Sequence, residues 1–245
     1  MNNYKLIIQY DGSRYKGWQR LSEEESTIQD KIEQVLSKML EKKTEINGCS
    51  RTDAGVHALG QVANFTTNQL FESENIKAYL NHYLPEDIKI TEVSQVSENF
   101  HARYHSKGKS YLYRIWNKEY PNPFYRKYSM HVEHPLDIES MKAASRHFVG
   151  VHDFSAFSNA KSKKKSTERE IFHIDIQAKD GFIDIHFQGD GFLYNMVRWM
   201  VGALVEVGKG NLDGNQLPRI LEEKERGKAG DLAHACGLFL ENVIY

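Results

Sequence analysis

The chain has 245 residues, 40% hydrophobic and 27% charged, with 3 Trp, 13 Tyr and 12 Phe, a composition that excludes disordered and collagen-like classes. Thirty-two Lys and Arg against 33 Asp and Glu give a formal net charge of -1, which taken alone argues against a simple polyanion binder. No apolar run approaches the ~18–20 residues of a membrane span, and Cys49 and Cys236 alone cannot build a disulfide framework or a four-ligand zinc site. The opening MNNYKLIIQYDGSRY lacks a signal-peptide pattern, so a cytoplasmic protein is the expectation.

Residues 5–10 read as a strand ended by Asp11-Gly12. A helix follows, capped by Ser26 or Thr27, with apolar residues recurring at Ile28, Ile32, Val35, Leu36, Met39 and Leu40. A strand over 61–66, a helix over 74–83 and a strand over 88–96 complete a β-α-β-α-β first part. The strand expected over 110–116 places Tyr111, Tyr113 and Ile115 on one face and Leu112, Arg114 and Trp116 on the other. A helix over 137–148 comes next, then a hairpin over 171–187 turned at Lys179-Asp180-Gly181. Helices over 195–207 and 217–224 and a last strand over 238–245 end the pattern. Hairpins mixed with helices predict an α+β fold on largely antiparallel sheet. Three of the five prolines lie between 121 and 135 and mark a candidate joint there.

Charge is unevenly spread. Between His101 and Met130 seven basic residues face one acid, Glu119, and eight aromatics are interleaved with them. Lys163, Lys164 and Lys165 belong to a second basic cluster that starts at Lys161. Cations mixed with stacking surfaces suit RNA or single-stranded nucleic acid; a solvated charged face is the plainer account. His101 and His105 have an i, i+4 spacing but no third ligand nearby, so no metal is expected. The densest group of chemical side chains is Gly48-Cys49-Ser50-Arg51-Thr52-Asp53-Ala54-Gly55-Val56-His57. Its small residues let backbone approach a ligand, although an ordinary loop in which Arg51 pairs with Asp53 would look the same.

The string RTDAGVHALGQVANF resembles the catalytic motif of the TruA family of tRNA pseudouridine synthases. YDGSRYKGWQ, FHAR at 100–103, KSYLYR at 109–114, GVHDFSAF at 150–157, GFLYNMVR at 191–198 and GLFL at 237–240 follow in the family's order along nearly the whole chain. The resemblance implies two RRM-like or ferredoxin-like α+β halves joined through a largely antiparallel sheet with a central cleft, divided here as 1–105 and 106–245. It also implies Asp53 as the catalytic aspartate, Tyr111 as the ring stacked on the target base and Arg198 as the partner of the aspartate. Arg51 would lie near the flipped nucleotide and Leu238 near the target base. Ser50 stands where the family usually has Gly, and Ala235-Cys236 where a proline-containing turn is common. The implied activity is isomerisation of uridines 38, 39 and 40 of the tRNA anticodon stem-loop, by a homodimer without a cofactor.

The residue types suit that chemistry. The base leaves C1′ through N1 and returns through C5, with no redox change and no atom donated. An ionised carboxylate can attack C6 or C1′, or remove a proton from C2′. An arginine beside it favours the charged form against burial. Two rivals stand: a non-catalytic RRM-like RNA-binding module, which the basic-aromatic stretch alone supports equally well, and a hydrolase using Asp53 on a nucleoside bond. A binding module gains nothing from a carboxylate facing phosphate. A hydrolase lacks a second carboxylate motif here.

Overall fold

The structure, a computed structural model, describes residues 1–21, 26–159, 166–224 and 229–245. Its contacts divide the chain into two compact units, Met1–Lys107 with Phe239–Tyr245, and Gly108–Leu238.

In the first unit, β1 (Asn2–Tyr10) lies antiparallel between β3 (His57–Thr67) and β4 (Ile88–Val96). The C-terminal strand, Leu238–Ile244, runs parallel to β3 with Phe239 opposite His57 and Leu240 opposite Ala58. The short β2 (Asn47–Gly48) pairs with β3 on its way into the Asp53 loop. Alternate side chains of β1, namely Tyr4, Leu6 and Ile8, are wholly buried, as are Ile32 and Leu36 of α1 (Ile28–Met39) and Ile76 and Leu80 of α2 (Ser73–Tyr83). Each such aliphatic chain stabilises the unit by about 1.5–3 kcal/mol. Thr27 caps α1 by accepting from the Asp30 N–H at 3.4 Å, as its sequence position predicts.

In the second unit, β5 (Gly108–Asn117), β9 (Phe182–Gly189), β8 (Glu168–Lys179) and β7 (Gly150–Asp153) follow one another antiparallel. The strand β6 (Met130–Val132) adds to β5 in parallel. The expected hairpin is β8–β9, and both residues of its turn are left-handed, Asp180 at φ 54° and Gly181 at φ 88°, the pattern of a two-residue turn matched to strand twist. Helix α3 (Ile138–Ser145) packs on α4 (Met196–Gly208), which is apolar nearly all round and buried accordingly. The short α5 (Leu217–Glu223) follows.

Several expectations shift in detail. The helix over 137–148 ends at Ser145 and tightens into a 3-10 turn over Arg146–Phe148. Strand β3 starts at His57 because Phe239 and Leu240, from the far end of the chain, pair with its first residues. Strands β2, β6 and β7 span only two to four residues, too few to show a period. The prolines at 121–135 lie inside the second unit. Proline lacks an N–H and so marks loops beside strands as readily as joints.

Candidate active site

Asp53 sits half-buried at the tip of the loop between β2 and β3. Polar ties from several directions shape the loop around it. The Cys49 N–H donates to the Val62 carbonyl at 2.8 Å, and the Gln61 amide brackets Ser50, accepting from its N–H at 3.1 Å and donating to its carbonyl at 2.8 Å. Gln61 is wholly buried, so both bonds are shielded from water. The Tyr10 hydroxyl shares a buried 2.7 Å hydrogen bond with the Thr52 hydroxyl, and the Trp18 N–H donates to the Thr52 carbonyl at 3.0 Å. The Val56 N–H closes a turn onto the Asp53 carbonyl at 3.1 Å. His57 stacks on Phe239 with centroids 4.7 Å apart, and its Nδ1 accepts from the Gly12 N–H at 3.1 Å.

The segment from Gly12 to Trp18 lies directly against this loop. A Cβ on Gly12 would stand 2.0 Å from the Val56 carbonyl oxygen, and one on Gly17 would stand 2.7 Å from that of Thr52. Gly17 also adopts φ 100°, a conformation that a side chain disfavours. The two glycines of YDGSRYKGWQ are therefore the surface against which the aspartate loop is cast. Arg51, two residues before Asp53, is exposed.

Tyr111, Arg198 and Leu238 belong to the second unit. Tyr111 on β5 is half-buried, and the Phe192 ring meets it perpendicularly at 5.0 Å, which fixes its plane. Arg198 lies in the first turn of α4. Its Nε donates to the Ala233 carbonyl at 2.7 Å and its Nη1 to the Asn195 side-chain oxygen at 3.0 Å, so two of its three guanidinium nitrogens set the direction of the fork. Asn195 precedes the helix in the left-handed conformation, φ 62°. Leu238 is buried, after the 3-10 turn Ala235–Gly237. Tyr113, two residues beyond Tyr111, donates its hydroxyl to the His234 carbonyl at 2.7 Å. Burial, with Cys236 adding, pushes its phenol well above the ordinary range against the opposing pull of the Arg198 cation. Tyr113 is thus a neutral structural tyrosine.

Lys163, Lys164 and Lys165 lie outside the described residues. Among the described residues, no group of three or more His, Cys, Asp or Glu could hold a metal ion. Reasoning from the sequence passed over Tyr10, Trp18, Gln61, Phe192 and Asn195 as supports. All five fall within the motif strings, but only long-range contacts reveal what each one holds.

The pinned loop and the helix-borne arginine belong to an α+β chain whose sequence places it in the pseudouridine synthase class of enzymes. The family described as tRNA pseudouridine synthase matches residues 6–105 and 144–245, and the chain belongs to that family. Tyr111 falls outside the two matched stretches. Over 245 residues, the full length of both chains, the sequence is 60% identical to tRNA pseudouridine synthase A 2 of Bacillus cereus. At the same full coverage it is 47% identical to tRNA pseudouridine synthase A 1 of Clostridium tetani and 46% identical to tRNA pseudouridine synthase A of Acetivibrio thermocellus.

Proposed function

We propose that this chain converts uridines 38, 39 and 40 of the tRNA anticodon stem-loop to pseudouridine. Asp53 is the catalytic carboxylate, Arg198 its charge partner, Tyr111 the stacking ring, and Arg51 and Leu238 contacts to the flipped nucleotide. The observation that carries this reading is the fixation of the Asp53 loop by Tyr10, Trp18 and Gln61. A carboxylate held by its backbone rather than by its own flexibility is preorganised for a reacting atom. A protein that only binds RNA has no use for it.

A base inside a stem cannot expose C1′ and C5, so the nucleotide must be flipped out at a cost of a few kcal/mol. Stacking on an aromatic ring returns roughly 1–3 kcal/mol. Asp53, ionised, then attacks C6 or C1′ or takes the C2′ proton. The N1–C1′ bond breaks, the base turns, C5 bonds to C1′, and the C5 proton is released. Arg198 stays charged throughout. The family resemblance further supports a homodimer, the reaction itself calls for no cofactor, the sequence pattern favours the cytoplasm, and the basic cluster favours lysines 163–165 touching RNA phosphate. Among the described residues, no helix is long and apolar enough to cross a membrane.

Asp53→Asn keeps size and much of the hydrogen bonding but loses the charge. It should abolish tritium release from C5-labelled uridine in tRNA while filter-binding affinity changes less than about tenfold, or ~1.4 kcal/mol. A fully active Asp53→Asn protein would refute the mechanism. Wild-type protein that binds tRNA and never releases tritium would identify a binding module instead.

A further inference from the structure

Beside the aspartate loop the first unit carries a depression of about 230 Å³ whose lining includes Trp18, Arg20, Arg51, His101, Arg103 and Tyr104. This lies below the roughly 300–1,000 Å³ of pockets for drug-sized ligands, so it suits a single base or phosphodiester group. Arg20 does not supply the attraction. Its Nη1 donates to Glu33 at 2.7 Å and its Nη2 to Glu45 at 2.8 Å, and two carboxylates offset its charge. The positive charge comes from Arg51 and Arg103, both exposed.

The 101–104 segment also presents rings. Tyr104 is 76% exposed, which leaves a ring face open to a base. The His101 ring lies 4.2 Å from it, tilted by 38°. His101 Nδ1 accepts from the Arg103 N–H at 3.1 Å, which places the imidazole proton on Nε2. Burial, with His105 and Arg103 nearby, lowers its pKa, so His101 serves as a neutral donor and ring surface rather than as a third cation. Two guanidinium groups beside an exposed ring backed by a second one are the combination that holds a nucleotide by backbone and base face without reading its sequence. Arg51 is two residues from Asp53, at most about 7 Å of chain. An occupant held by Arg51 is therefore close along the RNA to the reacting nucleotide.

We propose that this depression is a subsite for the RNA nucleotide adjacent to the uridine being isomerised, with Arg51 on the phosphodiester that joins the two, Arg103 beside it, and Tyr104, backed by His101, against the neighbour's base. The assignment rests on the proposed RNA substrate and adds a contact that positions a neighbour of the target. The test uses the full-length protein and a set of anticodon stem-loop RNAs, each carrying one uncharged methylphosphonate linkage, with affinity read by fluorescence anisotropy at low salt. One linkage should weaken wild-type binding about tenfold and leave Arg103→Gln, already about tenfold weaker, unchanged by it; Arg103→Lys should recover most of the loss. Tyr104→Leu should weaken binding fivefold or more, and that loss should vanish on RNA lacking the base at the same nucleotide.

A general loss of folding would not single out one phosphate or one base, so the coupling separates direct binding from structural support. Should Arg103→Gln fail to fold, Tyr104→Leu and the abasic RNA carry the test. The subsite is overturned if Arg103→Gln binds like wild type, or if every linkage penalises both proteins equally. Tritium release by wild type on the unmodified RNA judges the enzymatic reading separately. Release without coupling removes only the subsite, and coupling without release removes only the synthase.

Discussion

Single hydrogen bonds around Thr52 and Ser50 decide how firmly Asp53 is held. The Tyr10 hydroxyl is within 2.7 Å of Thr52 Oγ1 in a buried setting, and Tyr10→Phe removes it without changing the ring. The expected result is a loss of about 1 kcal/mol in urea unfolding, with a larger proportional fall in single-turnover conversion than in tRNA affinity. An equal fall in both would mean that the bond only supports the fold. Ser50 presents the opposite case. Among the described residues its hydroxyl is one of three buried side-chain oxygens without a hydrogen-bond partner, and it stands where the family usually has glycine. Ser50→Ala should stabilise the protein by about 1 kcal/mol, seen as a higher melting temperature; a lower one would show that the hydroxyl is satisfied in solution.

At the scale of elements, the close fit of the Gly12–Trp18 segment to the aspartate loop predicts that Gly17→Ala is costly. The added carbon meets the Thr52 carbonyl oxygen at 2.7 Å at a φ of 100°, and the loop must move to make room. Tritium release should fall at least tenfold, and unchanged release would show that the loop tolerates the shift. In the second unit the turn after β7 is pinned by Asp153, which Lys224 meets at 2.6 Å. Burial alone would raise this carboxyl, but hydrogen bonds from Lys224, Thr167 and Ser155 outweigh it and hold it well below the ordinary carboxylate range. A carboxyl lower in the folded than in the unfolded state stabilises fully above its unfolded value, near 3.9, and less as pH falls below it. Urea melts should therefore show Asp153→Asn well below wild type at pH 7 and still below it, by a smaller gap, at pH 3, where the folded carboxyl remains ionised. A constant gap would contradict the pairing.

For the whole molecule the near-zero net charge conceals a local excess, seven basic residues against one acid between His101 and Met130. Affinity for tRNA should fall steeply with salt, each neutralised phosphate adding roughly 0.9 to the slope of log K against log salt on a duplex. Replacing Lys163, Lys164 and Lys165 together by Ala should lower that slope by roughly 0.9 for each phosphate these lysines neutralise. A slope indifferent to the triple replacement would remove those lysines from the interface.

The sequence alone carried the α+β class, the long periodic elements and the family. Helix 28–39 and strand 88–96 were legible because repeating apolar spacing follows from which face is buried, a local property of the chain. It also singled out Asp53, though only through a string of motifs: small and charged residues in a loop do not by themselves distinguish a site from a turn. Tyr111 would otherwise read as a core tyrosine on an alternating strand. Tertiary structure alone decided what holds these residues in place. Tyr10 reaches Thr52 across 42 positions and Arg198 reaches Ala233 across 35, while β3 begins where it does because residues 239 and 240 pair with it. Such pairings leave no period in the sequence. They exist only once distant segments have been brought within hydrogen-bonding distance.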